Sequence, residues 1–280
     1  MAYSTIFNAF ELLVAQKASI RPKLQSLSKD LFPSNGPAPK SLIEISGPSN
    51  SGKTLLLNEI IALTILPTYF NGKDSNVVLI DLDHKLSIPH LMKVAEKIIK
   101  NSGEKTSQED MQFTIELRMQ SVQIINCYSP DQFEMAMDTL EDLLVSNPDI
   151  ALLAIDNIGA YYWLDTDSKL VRKETHYKNH IARLKNICRK HNIVCAFTME
   201  SNYIQTKGLR ANVDYKFDMK VKPNVANSDG IVLMTVEVSG SSVDKLIRVD
   251  DYGMHFIFKW FSSVFYLLMQ FKLFRSCNPT

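Results

Sequence analysis

The chain of 280 residues is 45% apolar and 22% charged, an ordinary globular composition, and is long enough to bury one large domain or one domain plus an appendage. Its 31 basic and 30 acidic residues leave a formal charge of +1, which excludes a generally basic surface and confines any nucleic-acid contact to local patches. Four cysteines (Cys127, Cys188, Cys195 and Cys277) share no CxxC spacing, so reduced thiols of an intracellular protein are expected rather than a disulfide framework or a thiolate metal site.

Residues 1–16 carry Ile6, Phe7, Phe10, Leu12 and Leu13 without a basic leader, and Glu11 interrupts them; an amphipathic helix is expected and a signal peptide is not. Leu31-Phe32-Pro33-Ser34-Asn35-Gly36-Pro37-Ala38-Pro39 reads as a loop, making residues 1–40 an N-terminal helix and linker. Leu42-Ile43-Glu44-Ile45 then reads as a strand and Leu55 to Leu66 as an apolar helix. Between them lies Gly47-Pro48-Ser49-Asn50-Ser51-Gly52-Lys53-Thr54: glycine, four residues, glycine, lysine and a hydroxyl residue. The glycines let backbone N–H groups at a helix start wrap around a polyphosphate, Lys53 neutralises its outer phosphates, and the Thr54 hydroxyl ligates Mg²⁺. A chance match of glycines and lysine in a chain of this length has a probability on the order of one in a hundred. The expected ligands are ATP and Mg²⁺, with all eight loop residues in contact.

Beyond the loop, strand and helix patterns alternate. Val77 to Ile80, ending at Asp81, reads as a buried strand, Ile88 to Ile99 as a helix and residues 101–110 as a polar loop. Val122 to Asn126 is a strand, Phe133 to Val145 a helix, Ile150 to Asp156 a strand, Leu170 to Lys190 a long basic helix and Ile193 to Thr198 a strand. This alternation predicts an α/β fold with a mainly parallel central sheet flanked by helices. A polar stretch runs to Gly230, followed by Ile231 to Val238, Lys245 to Val249 and Met254 to Phe258 as a C-terminal antiparallel extension, so residues 41–258 form the core. The apolar, aromatic segment 259–280 is interrupted by Lys259, Gln270 and Lys272, and its uncharged core falls short of the roughly 20 residues of a membrane span. It reads first as a buried, partner-contacting edge strand, then as a variant C-terminal segment, then as a tail anchor; no membrane is expected.

Asp156 follows a long apolar run, which suits an acid holding Mg²⁺ through water beside Thr54; a cap or turn residue is the alternative. Asp81 and Asp83 stand at the carboxyl end of their strand, the ligand-facing edge of a parallel sheet, and share a face if the strand continues. Asp83 is the candidate catalytic carboxylate for orienting and deprotonating water. His176 and His180 are four apart on a helix but lack a third ligand for zinc.

The phosphate-binding loop, the Ile80-Asp81-Leu82-Asp83 strand end, and Ile155-Asp156-Asn157 followed by Tyr161-Tyr162-Trp163 resemble the RecA-type recombinase core. Ile65-Leu66-Pro67 and Leu79 to His84 extend the resemblance to the recombinase paralogues, over about residues 31–256. It implies a RecA-like ATP-binding core acting in homologous recombination and double-strand break repair, in the nucleus, assembled with other paralogue subunits on single-stranded DNA. It places the usual catalytic glutamate at Asp83, one methylene shorter. The strand-end glutamine that senses the terminal phosphate falls near Glu200, a carboxylate that phosphate repels. A misplacement of about 1 Å can cost roughly a hundredfold in rate, so hydrolysis is expected to be weak or absent, at most that of a weak DNA-dependent ATPase. DNA contact is implied for the loop 201–230, where Lys207, Arg210, Lys216, Lys220 and Lys222 alternate with Tyr203, Tyr215 and Phe217. A solvated polar loop is the alternative there, since Asp214, Asp218 and Asp229 offset the charge. Two further readings stay open: an independently active P-loop ATPase or kinase, and a scaffold whose loop holds no nucleotide.

Overall fold

The computed structural model describes residues 9–32, 35–166, 172–201, 213–221, 231–250 and 252–258. Helix α1 (Ala9–Ser19) precedes β1 (Leu42–Gly47) and α2 (Lys53–Ile65); β2 (Asn76–Asp81), α3 (Ile88–Asn101), α4 (Gln108–Met119), β3 (Val122–Asn126), α5 (Pro130–Ser146) and β4 (Ile150–Asp156) follow. After the short α6 (Tyr162–Thr166) come α7 (Lys173–His191), β5 (Val194–Glu200), β6 (Tyr215–Val221), β7 (Ile231–Val238), β8 (Ser241–Asp250) and β9 (Gly253–Phe258).

These strands pair in the order β3-β2-β4-β5-β1-β6-β7-β8-β9. From β3 to β6 every pairing is parallel, and from β6 to β9 every pairing is antiparallel. Helices cover both faces of the parallel part, so β1 and β4 are buried at every residue, and this is why they read as unbroken apolar runs. One face packs under α2, α3 and α4, the other under α5 and α7. Helix α2 is buried along nearly its whole length, whereas α3 turns Leu91, Val94, Ala95 and Ile98 inward at helical spacing. Between β7 and β8 the turn residues Ser239 and Gly240 both have positive φ, 50° and 82°, the geometry of a two-residue hairpin.

Two elements depart from the expected pattern. Helix α4 begins where a loop was expected to run on, and it buries only Met111 and Ile115, too sparse a stripe to read as a helix. Its start is fixed instead by Ser107, whose hydroxyl accepts from the Asp110 N–H. The second departure corrects the loop assigned to residues 201–230. Residues 215–221 form β6, slotted between β1 and β7, with Tyr215, Phe217 and Met219 buried and Lys216, Asp218 and Lys220 turned outward. Lys216 and Lys220 are therefore strand residues. Lys216 lies 3.7 Å from Glu237 on the neighbouring strand, and Lys220 lies 3.2 Å from Asp218. Lys207, Arg210 and Lys222 lie outside the described residues, as does segment 259–280. Among the described residues no helix is long and apolar enough to cross a membrane.

The linker ahead of β1 is packed down. Arg21, only 3% exposed, donates to the carbonyls of Leu144, Asn147 and Ile150, where α5 hands over to β4. Leu24, Leu27, Leu31 and Phe32 enter the core beside α2, and the Phe32 ring meets Tyr215 and Phe217 edge-on at 5.2 and 5.5 Å. Phe32→Ala is expected to lower the unfolding free energy by about 3–5 kcal/mol in a urea titration. A loss below about 1 kcal/mol would show that the linker does not anchor the sheet.

Candidate functional site

Parallel pairing carries the predicted residues to one edge of the sheet. Gly47 is level with Glu200 across β1 and β5, and Asp81 is level with Asp156 across β2 and β4. A cleft of about 440 Å³ opens at this carboxyl-end edge, lined by residues 49–55 together with Asp83, Asp156 and Glu200. A larger hollow of about 740 Å³, between the linker, α2, α3 and β9, contains none of the predicted site residues.

The loop's shape follows from its glycines. A Cβ on Gly47 would lie 2.5 Å from Ser51 Oγ and 2.7 Å from the Met219 carbonyl, so a side chain has no room there. Asn50 and Gly52 both have positive φ, 58° and 89°, which turns the chain so that α2 can begin at Lys53. No side chain caps α2, which leaves its first-turn N–H groups in the arrangement that receives anions. Ser51 Oγ and Asn58 Oδ1 are buried at the cleft wall, in residues 1% and 2% exposed, without hydrogen-bond partners among the described residues. A buried polar atom left unpaired costs about 1–3 kcal/mol, and a polar ligand in the cleft offers both a partner. These features fit a nucleotide polyphosphate.

Lys53 and Thr54 have defined contacts. The Lys53 ammonium donates to the Pro48 carbonyl at 2.7 Å and to Glu200 Oε1 at 3.1 Å. Thr54 Oγ1 donates to Asp156 Oδ2 at 3.0 Å, and Thr198 Oγ1 donates to Asp156 Oδ1 at 2.5 Å. Thr54 and Asp156, separated by the sheet's crossovers in sequence, are thus brought together. One hydroxyl and one carboxylate suit Mg²⁺, whose remaining ligands are ordinarily phosphates and water. Burial pushes the Asp156 carboxyl above its ordinary range; Asp81 and Asp83 push the same way, and the two threonine hydroxyls oppose them.

Asp81 and Asp83 would share a face only if the strand continued, and that condition is not met. Strand β2 stops at Asp81, whose Oδ1 accepts from the N–H groups of Asp83 (3.2 Å) and His84 (2.8 Å), and His84 takes φ 53°. The Asp81 side chain closes this turn, as aspartates at turn starts do. Asp83 does reach the cleft, but its Oδ1 accepts from Asn157 Nδ2 at 2.9 Å and its Oδ2 pairs with Lys85 at 2.8 Å. That bond to Asp83 is the main reason the Lys85 ammonium is pushed above its ordinary value. Sequence reasoning did not assign roles to Asn58, Lys85, Asn157 or Thr198. Thr198 had a usable signal, a hydroxyl at the end of an apolar strand beside the loop, and Asn157 directly follows the acid; Lys85 had none.

No family model matches the chain. Over 146 residues it is 30% identical to the DNA repair protein XRCC2 of Mus musculus, a stretch that makes up 52% of this chain and 50% of the relative. The chain thus spans about half the length of this curated relative. This similarity supports the relationship to RecA-type recombinase paralogues indicated by the loop and strand-end motifs.

Because burial raises the Asp156 carboxyl above its unfolded value, the folded chain holds that proton more tightly than the unfolded one. The resulting stabilisation is present at low pH and is lost as pH rises from the ordinary carboxylate range through the folded value. Asp156→Asn is therefore expected to unfold at higher denaturant than wild type near about pH 7, with the gap narrowing toward about pH 4. A less stable variant near neutral pH would show that the hydroxyl contacts outweigh burial.

Proposed function

We propose that the chain is a RecA-like, P-loop ATP-binding subunit that supports homologous recombination and double-strand break repair on single-stranded DNA. Its setting is the nucleus, in a hetero-oligomer with other recombinase paralogues. The reading is carried by the joint placement of the Gly47–Thr54 loop, Asp156 and Glu200 at one sheet edge. Kinship with a DNA repair protein over half the chain adds the biological direction.

In this reading, residues 47–54 surround the phosphates, Lys53 meets their charge, and Thr54 and Asp156 hold Mg²⁺, the latter through water. Bound MgATP supplies a phosphoanhydride whose terminal phosphoryl can pass to water. Asp83 is the only aspartate of the β2 end left to take that water's proton, since Asp81 is committed to its turn. It is short and is held by Asn157 and Lys85, so its carboxylate is poorly placed for the task. Nucleotide is therefore gripped more readily than it is consumed.

Phe10, Leu12, Leu13 and Ile20 are between 40% and 63% exposed on and just after α1, a solvent-facing apolar group that suits a subunit contact. DNA contact through Lys216 and Lys220 runs along the outer face of β6, and Glu237 and Asp218 temper both charges. Lys207, Arg210 and Lys222, outside the described residues, remain proposed DNA contacts.

Three measurements separate this reading from its rivals. Steady-state ATP turnover of the purified chain is expected below about 0.1 s⁻¹, a hundredfold under a median enzyme. Fast turnover without DNA or partners would favour an independent ATPase. Saturating Mg-nucleotide, at about 100 times its Kd, is expected to raise stability by about 2.7 kcal/mol in wild type and not in Lys53→Ala. Equal stability with and without nucleotide would favour a scaffold. Tagged chain should recover recombinase-paralogue subunits from nuclear extract, and their absence would contradict the subunit assignment.

A further inference from the structure

We infer that Glu200 makes this cleft select a nucleoside diphosphate over a triphosphate, a specificity that rests on the nucleotide-binding reading above. The position of Glu200 is fixed by the sheet. It ends β5 level with Gly47, and the next residue, Ser201, donates its N–H to the Gly47 carbonyl at 2.9 Å. The loop lysine and this carboxylate are therefore held against each other by backbone on both sides, and the Glu200 side chain is only 27% exposed.

The lysine has little capacity to spare. An ammonium carries three N–H donors. One of those of Lys53 goes to the Pro48 carbonyl and one to Glu200 Oε1, in a residue only 8% exposed to water. A diphosphate can be met by the loop's backbone N–H groups and the remaining donor. A triphosphate extends one group further along the lysine's reach and needs a second donor, which Glu200 already holds. The terminal phosphate then has to displace the carboxylate or lie beside it. Like charges within about 4–6 Å disfavour each other strongly in a partly buried cleft.

The rest of the cleft does not relieve this. Its described lining carries the acids Asp83, Asp156, Glu200 and Asp250 against the lysines Lys53 and Lys85, and Lys85 is itself paired with Asp83. One Mg²⁺ leaves the triphosphate more negative than the diphosphate, so the same lining resists the triphosphate more. Glutamine at position 200 keeps the shape of the side chain and removes its charge.

The test is calorimetric titration of the full-length chain with MgADP and with Mg-bound AMP-PNP, a non-hydrolysed triphosphate, in wild type and Glu200→Gln. Wild type is expected to bind MgADP at least about tenfold more tightly than the triphosphate, a difference of about 1.4 kcal/mol. Glu200→Gln is expected to tighten triphosphate binding at least about tenfold more than it tightens MgADP binding, which removes the wild-type preference. Unchanged triphosphate affinity in the variant, with MgADP bound normally, would overturn the role of Glu200 and leave the nucleotide site standing. Failure of both proteins to bind either nucleotide would remove the nucleotide site itself and this specificity with it. Should the variant not fold, the wild-type ratio decides: equal or tighter triphosphate binding overturns the inference.

Discussion

The parallel hydrogen-bond register of β2, β4, β5 and β1 is the constraint on which the site depends. It sets Gly47 level with Glu200 and Asp81 level with Asp156, so that residues from four separate strand ends meet at one edge. Each strand is buried on both faces, so the pairing is held by the packing of two helical layers rather than by the site's own polar contacts. A slip of one residue in β5 would turn Glu200 to the opposite face, and Thr198 would leave Asp156. The chemistry is thus a by-product of core packing, and the linker contributes to it by packing Phe32 against β6, the strand whose Met219 carbonyl leaves no room for a side chain at Gly47.

Charge within the cleft is organised in two clusters. Around Asp156, two threonine hydroxyls offset part of the burial of the carboxylate. Around Lys53, a backbone carbonyl and Glu200 take up most of the donor capacity of the ammonium. In the proposed reading the first cluster would hold Mg²⁺, and the second would limit how much phosphate accompanies it. On that proposal the cleft keeps a nucleotide rather than turning it over rapidly.

Much of this was legible in the sequence because its signals are local. The loop spacing, the apolar runs and the acid at the end of β4 each lie within a dozen residues, and the strand–helix alternation gave the sheet its class. Illegible parts depended on tertiary pairing. The alternation of Tyr215, Phe217 and Met219 was present in the sequence but was masked by interleaved charges, so β6 read as a basic loop. Asp81 and Asp83 looked equivalent until the turn at His84 committed one to the backbone and left the other in the cleft. The Lys53–Glu200 pair, separated by 147 residues, could be guessed only as a repulsion between Glu200 and phosphate, because nothing local states that the lysine is the nearer partner.

Residues 47–54 are proposed to hold a nucleotide around Lys53, and equilibrium titration of the chain with a fluorescent ADP analogue and Mg²⁺ reads this out. One saturable site per chain is predicted, competed by unlabelled ADP and lost in Lys53→Ala. Binding of equal strength in Lys53→Ala, or no saturable binding in wild type, would contradict it.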